Sequence, residues 1–383
     1  MTATPRFHPE NRIDADVVVV GGGPVGLAMA IALADAGRQV QVWEPRNTPI
    51  DKACGEGLMP SAVARLQGLG VDTDFGFPFQ GITYLEAQRR GGRADGQTRT
   101  ARASFADGPG LGVRRTHLHA AMHDRAVAAG AKFVEASAHT ITQDRHGVTV
   151  AAATADGVDT DGVDTDGVDT DDAVTRAHYV VGADGLHSKV RKAANITQSS
   201  PGTPRFGLRR HYAIEPWSDT VDVHWAARSE AYVTPVGPGL VGVAILTASR
   251  GSFDEQLAEF PLLRDRLAAV TFTPTLGSGP LRQNVARRTS GRIALVGDAA
   301  GYVDALTGEG LNVGFASAQA LTRCLLADRL EDYEAQWRAA SRRYRAMTQG
   351  LLWARSQPSI APRIVPIAAR WPRLFAGAVH QLS

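Results

Sequence analysis

VVVVGGGPVGLAMAIALADAGRQVQVWE, residues 17–44, decides the fold. Four consecutive valines at 17–20 suit a strand buried on both faces, where a continuous apolar run replaces alternation. Gly21, Gly23 and Gly26 then fit G-x-G-x-x-G. Residues 25–36 have helix-forming composition, Gly37 suits the stop, and 39–43 reads as a second strand ending at Glu44. Strand, tight turn, helix and strand in this order open a doubly wound α/β domain. Gly21 permits the turn, Gly23 lets a pyrophosphate approach the backbone, and Gly26 lets helix touch strand. The helix N-terminus offers free amides and positive potential to phosphates. Glu44 can accept both hydroxyls of a ribose, which points to FAD or NAD rather than NADP. The fingerprint does not choose between them.

The chain has 383 residues, enough for two domains, and is 44% hydrophobic and 21% charged with net charge +2. That balance gives no support to a nucleic-acid partner. Cys54 and Cys324 form neither a disulfide framework nor a metal pattern, so no metal is expected and a reducing cytoplasm fits. The first sixteen residues lack the basic-then-apolar order of a signal peptide. Residues 17–34 carry no charge and are long enough to suggest a membrane span, but the glycines and proline at 21–26 argue against a continuous helix.

Further along, 82–88 and 98–105 read as short strands, 117–129 as a helix, and 139–153 and 173–181 as strands. Between the last two lies ADGVDTDGVDTDGVDTDD, three tandem copies of Asp-Gly-Val-Asp-Thr. Its spacing fits neither an EF-hand nor the nonapeptide calcium repeats, and its charge density cannot form a core; the expectation is a lengthened hairpin loop. FGLRRHYAI, TVDVHWAA, EAYVTPV and LVGVAIL, within 203–247, suggest an antiparallel sheet. Residues 292–296 return to a buried strand, a helix covers about 312–327, and 331–383 reads as an arginine-rich helical tail.

VVGADGLHSKVR (180–191) and RIALVGDAAG (292–301), taken with the fingerprint, resemble the superfamily of FAD-dependent monooxygenases and geranylgeranyl reductases. The resemblance implies a Rossmann-like FAD-binding domain, an inserted antiparallel β-sheet substrate domain and a C-terminal helical tail. The implied bounds are 1–80, 106–200 and 280–330 for the first, 81–105 and 201–279 for the second, and 331–383 for the tail. It assigns Asp298, after Gly297, to a flavin-side hydroxyl, Arg115 of GVRRTHLHAAM to FAD, and Asp184 to support of the cofactor region. Gly308 and Gly310 let backbone approach the isoalloxazine, and the helix beginning near Leu311 and Asn312 aims its N-terminus at the ring. Pro24, Val25 and Arg46 complete the candidate cofactor set.

KACGEGLMP (52–60) is similar to prenyl reductases, as is Thr-Gly-Glu-Gly at 307–310. Against that reading, AYVTPVG (231–237) lacks the aromatic box of those enzymes. The weaker candidates for a substrate pocket are Cys54, Glu56, His211, His224 and Tyr232, with Glu309 beside the flavin. The resemblance implies an NADH- or NADPH-dependent monooxygenase using O2 on a hydrophobic aromatic or polyketide-like molecule. The alternatives are reduction of a prenyl or quinone side-chain double bond, and a catalytically silent binding protein on the same fold. Contact of the basic tail with a membrane surface is a minor expectation.

Overall fold

The structure, a computed structural model, describes residues 12–86, 99–152 and 173–380. The Asp-Gly-Val-Asp-Thr repeats and the Gly-Arg-rich turn after residue 86 lie outside the described residues. Ala15–Val20 is the central strand of an eight-stranded sheet. It pairs in parallel with Val40–Trp43 on one side and Val174–Gly182 on the other, so Val18 faces both Gln41 and Val180. Lys132–Val134 extends the sheet beyond Val40–Trp43, and Ile293–Leu295 runs parallel to the C-terminal half of Val174–Gly182. Val18 and Val19 are fully buried, as two covered faces require.

Pro24–Asp35 is the fingerprint helix, with Pro24 in its first turn, where a missing N–H costs nothing. It buries Leu27, Met29, Ile31 and Leu33 completely. Gly310–Leu326 packs beside it, and Gly314 is required there: an added Cβ would come within 2.5 Å of the Val25 side chain. The stretch 139–153 is two strands rather than one. Ala138–Gln143 and Val148–Ala152 form a hairpin, because the Asp144 carboxylate accepts the amides of His146 and Gly147 and turns the chain.

A seven-stranded sheet lies apart from the first. Its order is Leu276–Ser278, Phe206–Tyr212, Leu240–Thr247, Ser229–Gly237, Val221–Trp225, Gly81–Glu86 and Thr100–Ser104. The expected antiparallel pattern holds except at one place: Val221–Trp225 pairs in parallel with Gly81–Glu86. Those strands come from distant segments, so no hairpin dictates their direction. Alternation divides the sheet into two faces. Ala231, Val233, Val243 and Ile245 pack outward under Phe253–Leu257 and Pro261–Leu267, while Val221, Val223 and Trp225 turn inward with Ile82, Met59 and Leu306. The C-terminal helices Ile364–Arg370 and Pro372–His380 close over that second face, burying Val365, Phe375 and Val379.

A short three-stranded sheet joins the halves. Gly57–Leu58 and Phe77–Phe79 both pair with Gly110–Gly112, placing Glu56 next to the residues that open the helix Arg115–Ala128. Gly26→Ala tests the packing of the first turn, since its Cβ would lie 2.0 Å from the Gly21 carbonyl oxygen. The expected loss is about 2–3 kcal/mol in urea unfolding; an unchanged midpoint would show that the turn has slack.

Candidate functional site: a nucleotide groove

Gly21 adopts φ +106°, and a Cβ there would sit 2.6 Å from the Ala183 carbonyl oxygen and 2.9 Å from Asp184 Cα. The Ala183-Asp184-Gly185 motif therefore rests directly on the fingerprint turn. Gly22 is equally constrained on its other side, its Cβ position lying 2.9 Å from Glu44 Cβ. Gly23 differs: only Arg115 Nη2 comes near, at 3.9 Å. The backbone at Gly23 faces open space beside a cation.

Glu44 is 8% exposed and fully engaged. Gly22 N–H donates to Oε2 at 2.9 Å, while Arg46 donates its Nε to Oε1 at 2.7 Å and its Nη2 to Oε2 at 3.0 Å. Burial raises the Glu44 pKa, but the Arg46 guanidinium and the amides of Gly22 and Arg46 outweigh it and hold the carboxyl below its ordinary value. A ribose would have to take over the positions held by the Arg46 guanidinium, whose side chain is 58% exposed and free to swing out. His119 supports the turn from beneath. Burial lowers its pKa to about 4, so the neutral ring donates Nε2–H to the Gly22 carbonyl at 2.9 Å.

Arg115 is 8% exposed, and its guanidinium has no hydrogen-bond or ion-pair partner among the described residues; Nε is a buried orphan. A buried guanidinium without an anion is costly. Among the described residues the first-turn amides of Gly310–Leu326 also lack acceptors, the first helical bond there running from Val313 N–H to the Glu309 carbonyl. An unpaired cation beside a glycine with room for phosphate, a carboxylate for ribose and an open helix end fit FAD.

The remaining motifs converge on this groove. Gly297 packs on Val25, whose side chain fills the joint between the fingerprint helix and Gly310–Leu326, leaving only its backbone for a ligand. Asp298 is about one-third exposed, with Lys52 Nζ at 3.6 Å. Asp184 caps the helix Lys189–Ala193 by accepting Val190 N–H at 3.1 Å, and its Oδ1 is buried without a partner. Burial raises the Asp184 pKa against the hydrogen bonds from Ser188 and nearby amides. Arg191 locks two motifs together, donating to the carbonyls of Leu186 and Ala299 at 2.8 and 3.1 Å. Gly308 lies beneath Met59, and Gly310 beside Tyr302. Asn312 is held by Arg65 Nε at 3.0 Å and reaches Glu309 at 3.4 Å.

The weaker candidates divide by face. Glu56, in the left-handed region at φ +56°, accepts Arg115 N–H at 2.8 Å and contacts His211 Nε2 at 2.5 Å. His211 Nδ1 meets Arg209 at 2.9 Å, and Arg209 is paired with Asp51. The ring of His211 is wholly buried with both nitrogens engaged, so it braces the Cys54 loop instead of facing a pocket. Tyr232 is on the same inner face but spends its hydroxyl on the Leu306 carbonyl at 2.7 Å. His224 corrects the expectation outright. It lies on the outer face, its ring 6.5 Å from that of Phe260, and burial lowers its pKa to about 4. The alternation Val221, Val223, Trp225 carried that signal. Burial, then the Glu56 charge, pushes the Cys54 thiol up, leaving it neutral. His119 and Arg209 escaped sequence reading, although each follows a periodicity, four residues after Arg115 on a helix and two before His211 on a strand.

Residues 14–239 match the family model described as FAD binding domain. A menaquinone reductase of Mycolicibacterium smegmatis is 29% identical over 349 residues, 84% of this chain and 79% of the relative. A 3-(3-hydroxy-phenyl)propionate/3-hydroxycinnamic acid hydroxylase of Comamonas testosteroni is 25% identical over 361 residues, 88% of this chain and 58% of the relative. The p-nitrophenol 4-monooxygenase PnpA of Pseudomonas putida shares the fold, with a TM-score of 0.76, 20% identity, and coverage of 97% of this chain and 98% of that one.

Arg115→Met should weaken FAD binding roughly 10- to 100-fold, the loss of a charge-assisted contact, without lowering apoprotein stability. Flavin-fluorescence titration and urea unfolding read the two effects, and unchanged affinity would remove Arg115 from the site. Glu309 gives a pH test. Burial pushes its carboxyl up to about 7, with the Asn312 amide opposing. A raised folded pKa means the native state binds the extra proton between about 4.5 and 7, so ionisation destabilises as pH rises through that window. Glu309→Gln should therefore be more stable than the parent by about 3 kcal/mol at pH 8, with the gap vanishing toward pH 4.5.

Proposed function

This chain belongs to the FAD binding domain family, within the FAD-dependent monooxygenase superfamily, and from that premise we propose that it hydroxylates a hydrophobic aromatic or polyketide-like small molecule, using NADH or NADPH and O2. The observation that carries the reading is the unpaired Arg115 guanidinium beside the open backbone of Gly23. Bound FAD would supply the two-electron redox chemistry that no side-chain pair here provides.

The protein's part is binding, orientation and electrostatics. Arg115 and the amides at the start of Pro24–Asp35 would hold the pyrophosphate, Glu44 the adenosine ribose, and Asp298 a hydroxyl on the flavin side. Asp184 maintains the turn beneath them through its cap on Lys189–Ala193. The open first turn of Gly310–Leu326, at Gly308–Asn312, would direct its positive potential at the flavin ring. The inward face of the seven-stranded sheet, with Val223, Met59 and Leu306, is apolar and excludes water from the substrate side.

A second reading is reduction of a double bond in a prenyl or quinone side chain. It is favoured by the Cys54-Gly-Glu-Gly loop and by similarity to a menaquinone reductase. A silent binding protein is opposed by the retained Glu44, Arg115 and Asp298.

Turnover with NAD(P)H and 18O2 over a panel of hydrophobic phenols, polyketides and prenylated quinones separates the readings. Hydroxylation predicts substrate-dependent oxygen uptake and a product carrying one labelled oxygen. A product gaining two hydrogens and no label would establish the second reading in its place, and neither product would contradict both.

A further inference from the structure

The chain beyond Glu334 carries eight arginines and no aspartate or glutamate. Its last two helices, Ile364–Arg370 and Pro372–His380, have opposed faces. One is buried: Val365, Ala368, Phe375 and Val379 pack on the inner side of the seven-stranded sheet, with the Phe375 ring 4.7 Å from that of Tyr84. The other presents Ile367, Trp371 and Leu374, at i, i+4 and i+7, exposed by 41, 49 and 70%. The break between the helices does not divide that face. Trp371 N–H donates to the Ile367 carbonyl at 3.0 Å, and Phe375 N–H to the Trp371 carbonyl at 3.1 Å. Trp353, near the end of Tyr333–Ser356, is 60% exposed. Arg363, Arg370 and Arg373 are exposed along the same segment.

Large apolar side chains grouped in water mark an interaction surface. Here they alternate with cations alone, and indoles next to arginines match the boundary between headgroups and acyl chains. A second copy of the chain on this face would set arginines against arginines without a compensating side-chain carboxylate from either tail. No helix among the described residues is long and apolar enough to cross a membrane, so the segment would lie on a surface.

We propose that the outer face of residues 363–374 docks onto an anionic lipid bilayer, with Trp371, Leu374 and Ile367 entering the acyl boundary and the arginines meeting lipid phosphates. The opposite side of these same helices covers the sheet assigned to the substrate. A lipophilic substrate could pass from the leaflet to that sheet without crossing bulk water, a consequence that rests on the proposed function, whereas docking itself does not.

The test is co-sedimentation of the full chain with vesicles of phosphatidylcholine containing phosphatidylglycerol, and with phosphatidylcholine alone. The parent protein should bind the anionic vesicles and lose affinity as salt rises. Trp371→Ser with Leu374→Ser should cost at least about tenfold, and because both positions are exposed the circular dichroism spectrum should stay that of the parent. Arg363→Gln, Arg370→Gln and Arg373→Gln together should reduce binding by roughly fivefold per arginine on anionic vesicles and leave the neutral ones unchanged. No vesicle binding, binding unaffected by either variant, or a dimer in sedimentation velocity abolished by the Trp371 and Leu374 changes would each overturn the proposal. Vesicle binding is read without turnover, so failure of the hydroxylation reading would leave this result standing.

Discussion

Everything in the groove depends on a backbone-to-backbone contact at the end of the central strand. Gly21 touches Ala183 and Asp184, and Gly26 touches Gly21, at separations that leave no space for a Cβ atom. This forces the chain to turn within two residues and brings the helix start to the strand end. Segments more than 150 positions apart thereby meet at one point. Arg191 extends the join by holding the carbonyls of Leu186 and Ala299, so Asp298 is fixed relative to the fingerprint by protein contacts alone.

The electrostatics follow from that geometry. Negative charge at Glu44 is balanced locally by Arg46 and an amide, whereas positive charge at Arg115 is not balanced by any described side chain. Glu56 uses its carboxylate on the Arg115 backbone and on His211, so this acid is occupied with holding the loop. The groove is thus short of anions where a pyrophosphate would lie and has acceptors where hydroxyls would lie. The same network explains why His211 and Tyr232, although on the inner face, serve the scaffold: each connects the sheet to a loop of the nucleotide side.

What was legible in the sequence was local. Four valines, three glycines at fixed spacing and an acid at a strand end are short-range signals, and the elements formed within a residue or two of expectation. Alternation likewise located the strands at 206–247, and read strictly it places His224 with Asp222 on the outer face. Long-range pairing was not legible. The parallel match of Gly81–Glu86 with Val221–Trp225 joins segments with no short connection, and the Glu56–His211–Arg209–Asp51 chain joins a loop and a strand that lie more than 150 positions apart. The break at Asp144 was present in the sequence, but the apolar residues on either side masked a turn that the aspartate side chain makes.

The central claim is that FAD lies extended from the fingerprint turn to Asp298, with its ring at the first turn of Gly310–Leu326. A crystal structure of the chain soaked with FAD tests it most directly. The account predicts pyrophosphate oxygens at about 3 Å from backbone amides near Gly23 and from the Arg115 guanidinium, ribose hydroxyls on Glu44 with Arg46 swung aside, and a hydroxyl of the flavin half on Asp298. Density for the dinucleotide elsewhere, or a groove in which Arg115 remains without an anion at full occupancy, would contradict it.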